Sequence, residues 1–218
     1  MEWADPVDLY CERTDATLWS EPVNAVTNAA FLIAALLALR LWRHSDREDW
    51  PALALIIVVA AVGMGSFVFH TVATRAAILA DVVPIAVFIY GYLLLALVRF
   101  LHLRVAVVAA VVVAYAACAQ ALSALVPRLL NGSVGYLPAL AALIAVALAA
   151  SDQGTRRSLG LAAVVFAISL AFRTVDMAVC AGFPLGTHFV WHMLNAIVLY
   201  ILLRTAIAAP TARRAGSL

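Results

Sequence analysis

The sequence contains no lysine and few charged residues of any kind. Only 12% of its 218 residues are charged and 66% are hydrophobic, whereas about 25% charged residues is usual for a soluble domain. The net charge is only +2, and no basic stripe interleaved with aromatic residues is present, so we expect no nucleic-acid partner. This composition indicates a membrane protein and leaves no room for an additional soluble domain.

Cysteine is also scarce, and a leader sequence is not apparent. The three cysteines, Cys11, Cys118 and Cys180, are too few for a disulfide scaffold but leave room for one bridge. Residues 1–21 are polar and acidic, with no basic stretch followed by an apolar one, so they do not predict a cleaved signal peptide. We expect them to form an acidic extracytoplasmic segment.

What the chain does contain is a series of long apolar segments joined by short polar connections. Each approaches the ~20 residues that a helix needs to cross about 30 Å of hydrocarbon. The segments lie at about 22–42, 51–71, 79–98, 105–126, 135–150, 158–180 and 185–207. We therefore predict an all-α polytopic membrane protein, a seven-transmembrane helix bundle over residues 22–208 with a cytoplasmic tail at 209–218.

The arginines predict the orientation of this bundle. If the amino terminus is outside, ten of the 14 arginines fall on the inner side and four on the outer side, which is the bias that membrane proteins show. We therefore expect a cytoplasmic carboxyl terminus. The inner set is Arg40, Arg43, Arg47, Arg99, Arg104, Arg156, Arg157, Arg204, Arg213 and Arg214, and the outer set is Arg13, Arg75, Arg128 and Arg173.

Three histidines and one aspartate fall at the outer ends of the predicted helices. His188 and His192 are four residues apart, so on a helix they lie on one face; alone, they are equally compatible with two histidines that serve only packing. His70 and Asp81 reach the same depth through the topology. Three neutral imidazoles with an open fourth position are the usual catalytic zinc arrangement, and a membrane-buried carboxylate should face the interior of the bundle.

These residues resemble the motifs of a known family. Ser66 and His70, Asp81, and the pair His188 and His192 are similar to those of the alkaline ceramidases, which belong to a larger group of seven-helix membrane hydrolases that includes the adiponectin receptors. The resemblance extends from Asp8 to about Tyr200, and its carboxyl-terminal part is similar to the bacterial branch of the family. The further matching positions are Tyr10, Cys11, Glu12, Glu21, Pro22, Val23, Asn24, Asn28, and Arg173 to Asp176.

The resemblance implies a zinc ion on His70, His188 and His192. It also implies Asp81 as general base and Ser66 as a group that stabilises the oxyanion, in hydrolysis of the ceramide amide bond to a fatty acid and a sphingoid base. Ser66 lies one helical turn before His70, which agrees with this role. The alternatives are a small residue that eases helix packing for Ser66 and a helix-start carboxylate for Asp81.

The resemblance further implies a calcium site on the acidic segment, with Asp8, Glu12 and Glu21 as ligands. The sequence departs from the family pattern there, and the alternative is a solvated acidic tail that caps the first helix. Cys11 and Cys180 both emerge on the outer side, so we predict a disulfide between them, as the resemblance also implies. Cys118 is expected to be a small buried residue.

Other features leave more than one interpretation. Arg173 and Asp176 are three residues apart on one segment and are expected to pair. A seven-helix receptor or a proton-relay transporter would also bury histidine and aspartate, and a zinc hydrolase could act on another N-acyl or ester lipid. If the membrane is a bacterial inner membrane, the outer face is the periplasm. The sequence predicts no oligomeric state.

Overall fold

The computed structural model describes residues 2–45, 49–126 and 129–209. Seven stretches of this part of the chain are helical, long and apolar enough to cross a membrane, which confirms the predicted all-α, seven-helix bundle. The helices are α1 (Pro22–Thr27), α2 (Ala29–Arg43), α3 (Trp50–Val72), α4 (Arg75–Arg99), α5 (Val105–Leu125), α6 (Leu137–Ala149), α7 (Gln153–Val179) and α8 (His188–Ala208). A 3₁₀ segment at Leu129–Tyr136 precedes α6 and completes the fifth span, and α1 with α2 forms the first.

Helix α4 begins earlier than predicted, at Arg75. Its amino-terminal cap is Thr74, whose hydroxyl accepts a hydrogen bond from the backbone N–H of Ala77 at 3.3 Å. Asp81 therefore lies in the second turn of the helix rather than at its start. The interpretation of Asp81 as a helix-start carboxylate is wrong for this reason, because dipole stabilisation falls off within the first turn.

The helices differ in how closely they pack. Helices α3 and α4 approach so closely that a Cβ atom at Gly65 would overlap the backbone carbonyl of Ala80. Helix α5 lies at the edge of the bundle, and Val108 is its one buried residue. Cys118 on α5 is exposed, so the prediction that it is buried is wrong: this helix turns most of its surface away from the other helices.

The segment before α1 lies across the end of α3 and the start of α4. The backbone N–H of Val7 donates to the carbonyl of Ala73 at 2.8 Å, and that of Arg75 donates to Asp5 at 3.1 Å. A disulfide joins Cys11 to Cys180 at the end of α7, with their Cα atoms 5.4 Å apart. The acidic segment is therefore not a free tail.

An ion pair holds the opposite end of the bundle together. Arg99 at the end of α4 donates to both carboxylate oxygens of Asp49 at 2.7 Å and to the carbonyl of Ala206 on α8 at 2.7 Å. This end carries the described arginines of the predicted inner set. Four arginines of the orientation argument, Arg47, Arg128, Arg213 and Arg214, lie outside the described residues, as does the predicted tail beyond residue 209.

Candidate metal centre

Three histidines from two helices meet at the end of the bundle that the segment before α1 covers. His70 lies in the last turn of α3, and His188 and His192 lie in the first turns of α8. One ring nitrogen from each lies within 4.8 Å of those of the other two, and none of the side chains is more than 2% exposed. This group could hold a metal ion.

A carboxylate fixes which nitrogen His70 offers. Its Nδ1 lies 2.6 Å from Oε2 of Glu21, which precedes α1. The carboxylate accepts, so Nδ1 carries the proton and Nε2 carries the lone pair. Nε2 is buried and has no hydrogen-bond partner. A buried polar atom without a partner is rare in native structures, and a metal ion would satisfy this one.

His192 is fixed in the same way by a hydroxyl. Oγ1 of Thr27 donates to the backbone carbonyl of Val23 at 2.8 Å, and it lies 2.9 Å from Nδ1 of His192. Since the hydroxyl has a single proton and uses it on Val23, it accepts from Nδ1. The Nε2 nitrogen of His192 is then the one free to bind a metal.

His188 is held in place by an aromatic ring. Its imidazole stacks on the ring of Tyr10, with centroids 3.6 Å apart and planes 20° apart. Its Nδ1 is buried without a hydrogen-bond partner. Two of the three imidazoles thus contain an orphaned buried nitrogen, and this donor set fits a metal ion.

Asp176 fixes the start of α8 and the segment that covers it. One carboxylate oxygen accepts from the backbone N–H groups of Thr187 and His188 at 2.7 and 2.9 Å, and the other accepts from that of Cys11 at 3.0 Å. The predicted pair between Arg173 and Asp176 is therefore wrong. The carboxylate instead satisfies two backbone donors at the start of α8, where a helix has no internal partners for them, and one donor of the acidic segment.

Ser66 and Asp81 both reach the same centre. Ser66 is 3% exposed and lies one turn before His70 on α3. Asp81 on α4 lines the same cavity as Ser66 and His188. The close packing of α3 and α4 at Gly65 brings the two side chains together.

A cavity extends from the histidines into the bundle. The end of the cavity at the histidines is polar, and the remainder is lined by apolar side chains from several helices, a shape suited to a long hydrocarbon chain. The polar end is formed mainly by Tyr10, Ser66, Asp81, Arg173, His188 and His192. The apolar part includes Phe31, Val62, Ile85, Phe88, Leu93, Ala96, Leu143, Val146, Phe166, Val198 and Leu202.

The three carboxylates predicted to bind calcium have different surroundings. Glu12 accepts from the backbone N–H groups of Val23 and Asn24 at 2.6 and 2.8 Å, so it caps α1. Glu21 contacts His70, and Asp8 is exposed. In the described ranges these carboxylates do not form a metal-binding group. The calcium prediction has no support, and the capping role given as its alternative describes Glu12.

Arg13 supplies the positive charge in this cluster. Its Nε donates to Oε1 of Glu21 at 2.5 Å, and its terminal nitrogens donate to the carbonyls of Asp15, Thr17 and His70 at 3.1, 3.4 and 3.3 Å. Burial alone would raise the pKa of Glu21, but the hydrogen bonds from His70 and Arg13 outweigh it and lower that pKa. The sequence signal for this role is weak: Arg13 is the single basic residue of the acidic segment.

A family model described as Ceramidase matches residues 10–215 of the chain. The chain belongs to the ceramidase family. Membership of this family implies hydrolase activity on amide bonds and a lipid substrate, and both agree with a polar centre at the end of an apolar cavity. No curated relative matches this ceramidase-family chain.

Proposed function

We propose that this member of the ceramidase family is a zinc-dependent intramembrane amide hydrolase that cleaves ceramide to a fatty acid and a sphingoid base. One observation carries the proposal: three buried imidazoles converge at the polar end of an apolar cavity. In two of them, His70 and His192, the hydrogen bond at Nδ1 leaves Nε2 free to bind a metal.

The ligand set favours zinc. Three neutral imidazoles without a thiolate are typical of catalytic rather than structural zinc sites. His70, His188 and His192 would hold the ion. When bound, zinc would supply Lewis-acid activation of a water molecule and of the amide carbonyl.

Asp81 and Ser66 are proposed to carry out the proton and charge chemistry. Asp81 takes a proton from the attacking water as its oxygen bonds to the amide carbon. The Ser66 hydroxyl donates to the oxyanion that develops on the carbonyl oxygen. The C–N bond then breaks, and Asp81 returns the proton to the leaving nitrogen, so the products are a carboxylic acid and a free amine.

The location of the site follows the orientation proposed from the arginines. The amino terminus and the metal centre then lie at the outer face, and the carboxyl terminus is cytoplasmic. In a bacterial inner membrane the outer face is the periplasm, an oxidising compartment in which the Cys11–Cys180 disulfide would persist. Residues 1–21 would be an extracytoplasmic cover over this site, and residues 22–208 the transmembrane domain.

The test combines elemental analysis with lipid mass spectrometry on purified protein in detergent. We expect one zinc per chain and release of sphingoid base and fatty acid from ceramide. His188→Ala and His192→Ala should lose both, because two imidazoles hold zinc poorly. His44 is exposed and directly follows α2, at the end of that helix away from the three histidines. His44→Ala is therefore the matched control and should keep both the zinc and the hydrolysis.

The competing hypothesis is a receptor or a proton-relay transporter, which needs no stoichiometric metal. Full zinc occupancy in the His188→Ala/His192→Ala double variant would refute the assigned ligands. Metal-free wild-type protein that binds no added zinc and releases no product would favour the competing hypothesis.

A further inference from the structure

Arg173 places a positive charge at the polar end of the cavity. Its position in the sequence does not predict a ligand for it. It lies on α7, six residues before the helix ends at Val179. From this position an arginine could extend outward to the membrane surface. Instead its guanidinium lies over the rings of Tyr136 and Trp191, 5.4 and 5.8 Å from their centroids, and the side chain lines the cavity.

Neutral groups are the close partners of this guanidinium. Nη1 donates to the carbonyl of Asn131 at 2.6 Å and to the hydroxyl of Ser133 at 3.2 Å, and the Tyr10 phenol is a further neighbour. A guanidinium has five N–H donors. The two hydrogen bonds use both N–H groups of Nη1, which leaves those of Nε and Nη2 for the Tyr10 phenol or for a ligand in the cavity.

The guanidinium also lacks a carboxylate partner. In the described ranges, Arg173 has no ion pair within 4.0 Å. Asp81 lines the same cavity and is near enough to interact at longer range. A charge removed from water is costly unless it is paired, and aromatic faces offset only part of that cost.

We propose that Arg173 forms a subsite for an anionic oxygen group, a carboxylate or a phosphate, on the amine side of the N-acyl lipid. The planar fork of a guanidinium matches both groups. The acyl chain occupies the apolar part of the cavity, so the head group lies at the polar end beside Arg173. This inference rests on the proposed function and adds to it a preference: N-acyl lipids with an anionic group on the amine side should bind more tightly than neutral ceramide.

The test compares two substrates with the same acyl chain: neutral ceramide and an N-acyl amino acid whose carboxylate adjoins the amide nitrogen. We expect wild-type protein to have a KM about 10- to 100-fold lower for the anionic lipid, the range for a hydrogen bond to a charged group. Arg173→Gln should remove this preference by raising the KM of the anionic lipid alone. Ser133→Ala removes a neutral contact of the same side chain and should keep the preference.

A direct binding measurement tests the Arg173 subsite even if the protein does not hydrolyse ceramide. The probes are tetradecyl phosphate and tetradecanol, neither of which has an amide bond, so no hydrolysis is needed. Wild-type protein should bind the phosphate more tightly than the alcohol, and Arg173→Lys should weaken phosphate binding by losing the fork while it keeps the charge.

Several results would overturn the inference. These are equal KM values for the two lipids in wild-type protein, equal binding of the two probes, or an equal rise of both KM values in Arg173→Gln. Weaker inhibition by free fatty acid in Arg173→Gln, with the substrate preference intact, would place the product carboxylate there and refute the head-group assignment.

Discussion

Two arginines near the metal centre, Arg13 and Arg173, have opposite surroundings. Arg13 is 6% exposed and its guanidinium is bound by the Glu21 carboxylate and by three backbone carbonyls. Arg173 has neutral close partners and faces a cavity. Arg13 is a buried cation whose carboxylate partner makes it part of the structure, whereas Arg173 is only partly buried and is the one proposed to be available to a ligand.

The comparison extends to the carboxylate beside each arginine. Glu21 is held between Arg13 and His70 and is 1% exposed, so it orients the imidazole of His70, a proposed metal ligand. Asp81 lines the cavity and forms no ion pair with Arg173 in the part of the chain that the structure describes, which agrees with the proton transfer proposed for it. We therefore expect changes to Arg13 and Glu21 to reduce stability or metal binding, and changes to Asp81 and Arg173 to affect the reaction or the substrate. The largest expected effect comes first.

Asp81→Asn should retain zinc and lose hydrolysis by about 10²- to 10⁴-fold, the usual effect of removing a general base. The measurements are kcat on the lipid substrate and zinc content of the same sample. Asp8→Asn, which changes an exposed carboxylate of the acidic segment, is the control. A near wild-type rate in Asp81→Asn would mean that Asp81 is only structural.

Arg13→Gln should reduce the free energy of unfolding by about 3–5 kcal/mol, because it leaves Glu21 as an unpaired buried charge. Arg173→Gln should cost only about 0.5–2 kcal/mol, the value of its contacts with aromatic faces. Chemical denaturation of both variants in the same detergent measures the difference.

A double variant sharpens this test. Arg13→Gln/Glu21→Gln removes both charges of this ion pair, so it should be more stable than the sum of the single changes predicts. If Arg13→Gln is no more destabilising than Arg173→Gln, the two arginines do not differ as proposed.

Glu21→Gln should weaken zinc binding by about 10- to 100-fold, the usual effect of losing the carboxylate behind a histidine ligand. Competition with a chromogenic chelator measures this without any turnover. The exposed carboxylate of Glu2 provides the control Glu2→Gln. Unchanged zinc affinity would show that Glu21 does not orient His70.

Added calcium should have no measurable effect on zinc affinity or on thermal stability. The Arg13 guanidinium already supplies the positive charge that Glu21 requires, and Glu12 is occupied by backbone donors. Magnesium at equal ionic strength is the control. A saturable rise in the melting temperature with calcium alone would refute this view.

Local patterns in the sequence predicted the parts of the site that depend on one helix. The four-residue spacing of His188 and His192, and that of Ser66 and His70, puts each pair on one helical face. The contacts of Glu21 with His70 and of Thr27 with His192 span 49 and 165 residues. No periodicity connects such pairs, so sequence reasoning did not find them.

Local spacing also gave one wrong result for a clear physical reason. Arg173 and Asp176 are suitably placed for an ion pair along α7, but each finds partners in other segments. Asp176 accepts hydrogen bonds from three backbone donors, one in the acidic segment and two at the start of α8. Leaving these donors unpaired would cost more than a local ion pair gains.

The sequence by itself determined the class of protein, the seven spans and the residues able to bind a metal. These depend on hydrophobicity and helical period, which are local and additive along the chain. The tertiary structure alone decided which imidazole nitrogen is free, which arginine is satisfied and which still faces the cavity. Hydrogen bonds and ion pairs are short and directional, so they are settled only when distant segments, such as Arg13 and the end of α3, have packed together.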